Sequence, residues 1–441
     1  MDRRCFVKSG VFALLALGRP PGFLTRSLLA QTTAAARKKT LICIFQRGAV
    51  DGLNMVIPFG DAAYYANRRA TAIRAPSRAA ENTAIDLDGF FGLHPSLSAL
   101  HDLYGRNELA IVHAVGSPHP TRSHFEAQDF METATPGMKS TRDGWLNRVL
   151  ADTAHDCQCS GRRLEDGAAH AADHASGQVA MGGAAALRGI AMGSEMPRSM
   201  RGRAPTLAIA DLDSFGVGGR DATMQDAFTR TYGSEAGTII GSAADDAFEA
   251  LQILKHADLA RYRPAAGVNY PTTPFGRSLR QVAQLIKSGV GVEIAFVDIG
   301  GWDTHQAQGG VEGQLARRFD ELARGIRALY DDLGDRMDDV VLMTMSEFGR
   351  TVHENGTGGT DHGHGTCMMV MGGPVRGGKV YGDWPGLQPE QLYERRDLDV
   401  TTDFRDLFAE VVRTHLGATS MDRIFPGYAI DTARARGVLR G

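Results

Sequence analysis

The chain reads as an α/β protein, a mainly parallel sheet flanked by helices, and three observations carry that reading. Short apolar runs recur at Thr40–Phe45, Leu109–Val115, Val292–Ile299, Val340–Met345 and Cys367–Met371. The third and fourth bracket a long segment of helical spacing, and strand, helix and strand in that order imply a right-handed crossover between parallel strands. Carboxylates and imidazoles gather where these runs end, which is where open α/β sheets bind ligands.

The N-terminus is set apart from this pattern. Asp2-Arg3-Arg4-Cys5-Phe6-Val7-Lys8 followed by apolar Val11–Leu17 resembles a twin-arginine export signal. The apolar stretch is too short to span a bilayer. Residues 1–36 are therefore expected to be a signal peptide and short linker, cleaved after Ala30 or Ala36. The twin-arginine export machinery is an implied partner and the periplasm the implied location. Residues 37–441 are expected to form a single α/β domain.

Within it, Thr40–Phe45 is the first strand, ending at Gln46-Arg47-Gly48-Ala49-Val50-Asp51-Gly52. Leu109–Val115 is the second, and a helix follows over His124–Thr133, with Ser123 and Glu126 in capping-box spacing. Residues 155–203 are rich in Ala, Gly, His and charge and lack apolar periodicity, so they are expected to be an insertion outside the core. Asp245–Ala260 and Ser278–Ser288 have helical spacing. Leu315, Phe319, Leu322, Ile326 and Leu329 recur at three and four, placing a helix over Val311–Leu333 between strands 292–299 and 340–345. Strand Cys367–Met371 and a closing helix Phe404–Leu416 complete the series.

A formal net charge of -3 over 441 residues argues against a nucleic-acid groove or an anionic membrane surface. Of the five cysteines, Cys43 and Cys367 lie in apolar runs and read as small buried hydrophobes. Cys157-Gln158-Cys159 is a polar-loop pair without zinc-ligand spacing.

The chemistry concentrates in three stretches: Gly300-Gly301-Trp302-Asp303-Thr304-His305, Ser346-Glu347-Phe348-Gly349-Arg350 and Thr360-Asp361-His362-Gly363-His364. In extended chain, residues two apart face the same way, so Asp303 with His305, and His362 with His364, are each expected to converge. Such oxygen and nitrogen donors suit zinc or manganese better than a soft thiolate metal.

These motifs, with Arg47-Gly48-Ala49-Val50-Asp51-Gly52-Leu53 and Arg122-Ser123-His124-Phe125, resemble a bacterial family catalogued as domain of unknown function 1501. That family looks like a branch of the alkaline phosphatase-like superfamily, which includes phosphatases, sulfatases and cofactor-independent phosphoglycerate mutases. The resemblance implies one or two divalent ions, zinc or manganese with calcium as a third option. It assigns Asp51, Asp303, His305, Glu347, His362 and His364 as metal ligands, with Phe348 standing where the superfamily carries a histidine. Ser123 is then the candidate nucleophile or merely a helix cap, with His124 and Arg122 as further catalytic candidates and Thr121 in reserve. The expected function is a periplasmic metal-dependent hydrolase of a phosphate or sulfate ester. The alternative is a non-catalytic relative that binds an anionic glycan or a partner protein.

Overall fold

The computed structural model describes residues 38–156, 185–212, 250, 253–254, 257 and 259–440. The segment expected to be an export signal, with Cys157 and Cys159, lies outside the described residues, as does most of the helix expected over 245–260. No helix among the described residues is long and apolar enough to cross a membrane.

Among the described residues twelve strands form in chain order: β1 Thr40–Arg47, β2 Val56–Ile57, β3 Ile85–Asp86, β4 Gly92–Leu93, β5 Leu109–Gly116 and β6 Gly189–Met192. The rest are β7 Leu207–Ile209, β8 Ile294–Gly300, β9 Val340–Met345, β10 Thr366–Met371, β11 Lys379–Tyr381 and β12 Thr402–Asp403. The five main helices among the described residues are α1 His124–Thr133, α2 Trp145–Asp152, α3 Pro274–Ser288, α4 Gln314–Leu333 and α5 Phe404–Leu416.

The architecture is α/β, with a large sheet in the order β11-β5-β10-β9-β1-β8-β6-β7 and β12 paired to β5. Strand β1 is central and pairs in parallel with both β8 and β9, so the crossover through α4 passes over it. The exception to parallel order is β10, antiparallel to β5 and to β9. A small antiparallel sheet, β2-β4-β3, sits apart.

Alternation along β1 shows how the layers form. Ile42 and Ile44 join the apolar cluster that includes Leu279 of α3 and Phe319 of α4. Leu41, Cys43 and Phe45 join the one that includes Trp145 of α2 and Phe408 of α5. A strand buried on both faces reads as a continuous apolar run, and each such side chain contributes about 1.5–3 kcal/mol on burial.

The expected helices form with small shifts at their ends. Thr273 caps α3 by accepting the Gly276 N–H, and Gly289 in a left-handed conformation ends it. Helix α4 starts at Gln314 rather than Val311, because Gly309 and Gly313 hold positive φ angles just before it. The expectation for 155–203 needs correction: Gly189–Met192 is a buried strand between β8 and β7. Four residues are too few to show a periodicity, so that strand was hidden in the biased composition. Both described cysteines, Cys43 and Cys367, are free and buried.

Candidate metal centre

Four chain segments meet at the C-terminal ends of β1, β8 and β9. After β1, Gly48 turns with φ +116, and a Cβ there would lie 2.8 Å from the Asp303 backbone nitrogen. Glycine at this point therefore allows the loop after β8 to press against the end of β1. Trp302 is fully buried and donates its indole N–H to the Ile299 carbonyl at 2.8 Å, which fixes the turn presenting Asp303. After β9, Ser346 donates to the Gln46 carbonyl at 2.8 Å and accepts the Val50 N–H at 3.1 Å, tying the ends of β9 and β1 together.

Three imidazoles converge on one oxygen. His124 Nε2 lies 3.4 Å, His305 Nε2 2.9 Å and His362 Nε2 3.2 Å from Asp303 Oδ1. In each ring the opposite nitrogen faces an acceptor. His124 Nδ1 is 2.8 Å from Glu347 Oε1, His305 Nδ1 is 2.9 Å from Asp361 Oδ1, and His362 Nδ1 is 2.8 Å from the Arg122 carbonyl. With its proton on Nδ1, as these acceptors allow, a neutral ring turns an Nε2 lone pair toward Asp303, whereas a ring protonated at Nε2 donates to Asp303 Oδ1 instead. His124 Nε2 is buried without a hydrogen-bond partner.

Nitrogen lone pairs around a carboxylate, each ring anchored by an outer acceptor, form the pattern of a metal-binding histidine set. Donors about 2.0–2.1 Å from a tetrahedral zinc ion stand about 3.3 Å from one another, which the separations here bracket. His124, Asp303 and His362 form the one such triad found among the described residues, and His305 adjoins it through Asp303 and His362. The residues therefore fit a nitrogen-rich divalent ion. Asp303 is 45% exposed, so the convergence point opens to solvent.

The surroundings tune these groups. Burial pushes the Asp303 carboxyl up, but Arg350 and the three histidines outweigh it and hold it below the usual carboxylate range. Arg350 is itself buried, giving one nitrogen to Asp303 Oδ1 at 3.0 Å while its Nε and Nη1 find no partner. Burial likewise pushes Glu347 up, and hydrogen bonds from His124, Gln128 and Gly48 bring it below its ordinary value. The Glu347 hydrogen bond pulls His124 upward. His362 is pushed down by burial.

Several expected ligands stand elsewhere. Asp51 is buried, with Oδ2 taken by Arg68 at 2.6 Å and by Gln308 at 2.7 Å, while Oδ1 faces the Asn54 N–H at 3.3 Å. It is an ion-paired turn carboxylate and not a donor to the triad. Glu347 does not face the convergence point either: its Oε1 receives His124, the Gly48 N–H and Gln128, so it stands behind His124. His364 does not join His362, because the chain bends after Gly363 and period-two alternation is lost. Its ring stacks on Tyr393 at 4.3 Å, and burial pushes its pKa to about 4. Asp303 and His305 do converge as expected.

The catalytic candidates also sort out. His124, read as a catalytic group, supplies one of the three nitrogens. Arg122 is not a free anion grip: its guanidinium binds Asp397 at 2.6 and 2.9 Å and Glu394 at 2.7 Å. Ser123 occupies the N-cap of α1 but makes no side-chain cap bond, and Glu126 accepts from Thr121 at 2.8 Å and from Lys139. The expected capping box is thus replaced by a Thr121–Glu126–Lys139 chain, which leaves the exposed Ser123 hydroxyl without cap duty. Phe348 packs His124 and His362 on its ring, with centroids at 5.0 and 5.1 Å.

Sequence reasoning missed Asp361 and the anchoring role of the Arg122 carbonyl. Asp361 was visible beside His362, but a carboxylate acting through another loop's histidine has no fixed spacing. Residues 38–424 match a family described as "Protein of unknown function (DUF1501)". No curated protein matches the chain.

Proposed function

The chain belongs to this family of unknown function, DUF1501, so its activity has to be argued from the site, and we propose a metal-dependent hydrolase of a phosphate or sulfate ester. The observation that carries this reading is the convergence of three anchored imidazoles on Asp303 beside a buried arginine. His124, His362 and Asp303, with His305, would hold the ion. A bound zinc- or manganese-type ion would supply Lewis acidity toward an ester oxygen.

The chain's own groups supply the rest. Ser123, adjacent to His124 and free of capping, is the candidate nucleophile, and the start of the ten-residue α1 offers backbone N–H groups to an anionic ester. The Arg350 charge keeps Asp303 ionised and adds positive potential at the same point. The Arg3-Arg4 segment supports export by the twin-arginine route and hence a periplasmic location.

One observation favours the second reading, a non-catalytic relative that binds an anionic glycan or a partner protein. Asp51, which the superfamily resemblance assigns to an ion, is neutralised by Arg68, leaving a single triad among the described residues. The deciding experiment measures metal content by mass spectrometry in wild-type and Asp303→Ala protein, then turnover of aryl phosphate and aryl sulfate esters. Bound ion lost in the variant, with metal-dependent turnover in the wild type, supports the hydrolase. Bound ion without turnover supports the binding protein, and folded protein that takes up no zinc, manganese or calcium overturns the hydrolase and leaves the binding protein.

A further inference from the structure

The loop that follows β11, residues 393–398, is a candidate for control of His362 from outside the centre. His362 faces Asp303 with its Nδ1–H held by the backbone carbonyl of Arg122 at 2.8 Å. That carbonyl is itself located by the Arg122 side chain. Asp397 Oδ2 receives both Arg122 Nε, at 2.9 Å, and Nη2, at 2.6 Å, and Glu394 takes Nη2 at 2.7 Å. Asp397 is fully buried, its backbone pairs with Tyr393 in both directions, and it bridges to Thr351 in the loop after β9. The same loop reaches His362 a second time, through Arg396 Nη2 on the His362 carbonyl at 3.0 Å. Backbone room is also fixed here, since a Cβ at Gly363 would lie 2.3 Å from Arg350 carbon.

Resting on the metal reading above, we infer that Asp397 is a positioning residue that, through Arg122, locks the tautomer and direction of the His362 ring. A buried carboxylate gripping a guanidinium with two hydrogen bonds to one oxygen is a stiff restraint, and outer partners of this kind typically change metal affinity by roughly 10–100-fold.

The experiment uses the full chain after the export segment, with two variants, Asp397→Asn and the solvent-facing Glu394→Gln. Nitrogen-15 histidine spectra of the metal-free proteins report the His362 tautomer, and cobalt(II) titrations report affinity and the ligand-field spectrum. Wild type is expected to hold His362 with its proton on Nδ1, and Asp397→Asn to show mixed tautomers. Cobalt affinity should fall about 10–100-fold in Asp397→Asn, with an altered band, and less in Glu394→Gln. Asp332→Asn, which breaks a buried carboxylate cluster on α4 with Tyr262, Tyr270 and Lys287, controls for a merely structural loss and should leave tautomer and spectrum unchanged. An unchanged His362 tautomer in both Asp397→Asn and Glu394→Gln overturns the positioning role. Should Asp397→Asn not fold, Glu394→Gln decides alone. Failure of wild type to bind cobalt while the tautomer still shifts removes the metal reading but leaves the positioning role standing.

Discussion

His305 Nε2 and His362 Nε2 lie 2.9 Å apart, although each ring commits its Nδ1 to an acceptor, Asp361 in one case and the Arg122 carbonyl in the other. In their neutral, Nδ1-protonated form the two rings oppose lone pair to lone pair, with Asp303 Oδ1 at 2.9 and 3.2 Å from them. A cation between them removes that opposition, so adding zinc to metal-depleted protein should raise the melting temperature. At one hundred times the dissociation constant the gain is about 2.7 kcal/mol. Scanning calorimetry with and without zinc checks this, and Asp303→Ala should abolish the shift.

Ser123→Ala separates a nucleophile from a cap. Because Ser123 makes no side-chain cap bond, the substitution should cost less than about 0.5 kcal/mol of stability. If Ser123 attacks the ester, turnover falls to background while the melting temperature and bound metal hold. Full turnover in the variant would exclude a covalent step at this hydroxyl.

Removing Arg68 tests the assignment of Asp51 as structural. Both side chains are buried at 2.6 Å, and Arg68 also binds the Val352 and Thr351 carbonyls. Arg68→Met strands the Asp51 carboxylate in the interior and should destabilise the fold by roughly 3–5 kcal/mol, read by denaturant titration. Metal stoichiometry should stay as in the wild type, because Asp51 does not face the triad.

Acid should weaken the protein through three buried histidines remote from the triad. Burial pushes His94, His113 and His415 to about 4 from 6.5. Each is neutral in the fold: His94 accepts the Ser96 N–H and donates to the Gly310 carbonyl, and His113 accepts the Ala114 N–H and donates to the Val56 carbonyl. His415 faces the Thr40 carbonyl, with its other nitrogen buried and unpartnered. Below 6.5 the unfolded chain binds protons that the fold refuses, so this stability is complete above that pH and is lost as pH falls toward 4. Each histidine should cost about 2 kcal/mol between pH 7 and 5, seen as a falling urea midpoint. His113→Gln, which can keep a donor toward the Val56 carbonyl, should flatten the slope by one proton.

The strand ends and the long helices were legible because they rest on local signals. Apolar runs predict buried strands, and the three- and four-residue spacing of Leu315, Phe319 and Leu322 predicts α4, both of which form. The pairing of Asp303 with His305 was legible for the same reason, since two residues in extended chain share a side. What the sequence could not show is long-range partnership. Nothing near Asp51 announces Arg68, Glu347 gives no sign that it will stand behind His124, and the bend that turns His364 toward Tyr393 depends on the 393–398 loop. Nothing near Phe348 announces that His124, from α1 more than two hundred residues earlier, will pack on its ring and face Glu347.

Phe348 has a further effect. His124 and His362 both lean on its ring, at 30° and 45° to its plane, so their rotations are settled when the chain folds. Capturing an ion then freezes few side-chain torsions that are not already frozen. Under the proposed metal reading the same stiffness would make the site exacting about size: calcium, which seeks six to eight oxygens at about 2.3–2.6 Å, would have to spread rings backed by a packed aromatic wall. On that reading a small nitrogen-seeking ion would enter without moving that wall, and one phenylalanine would act as a calliper for ionic radius.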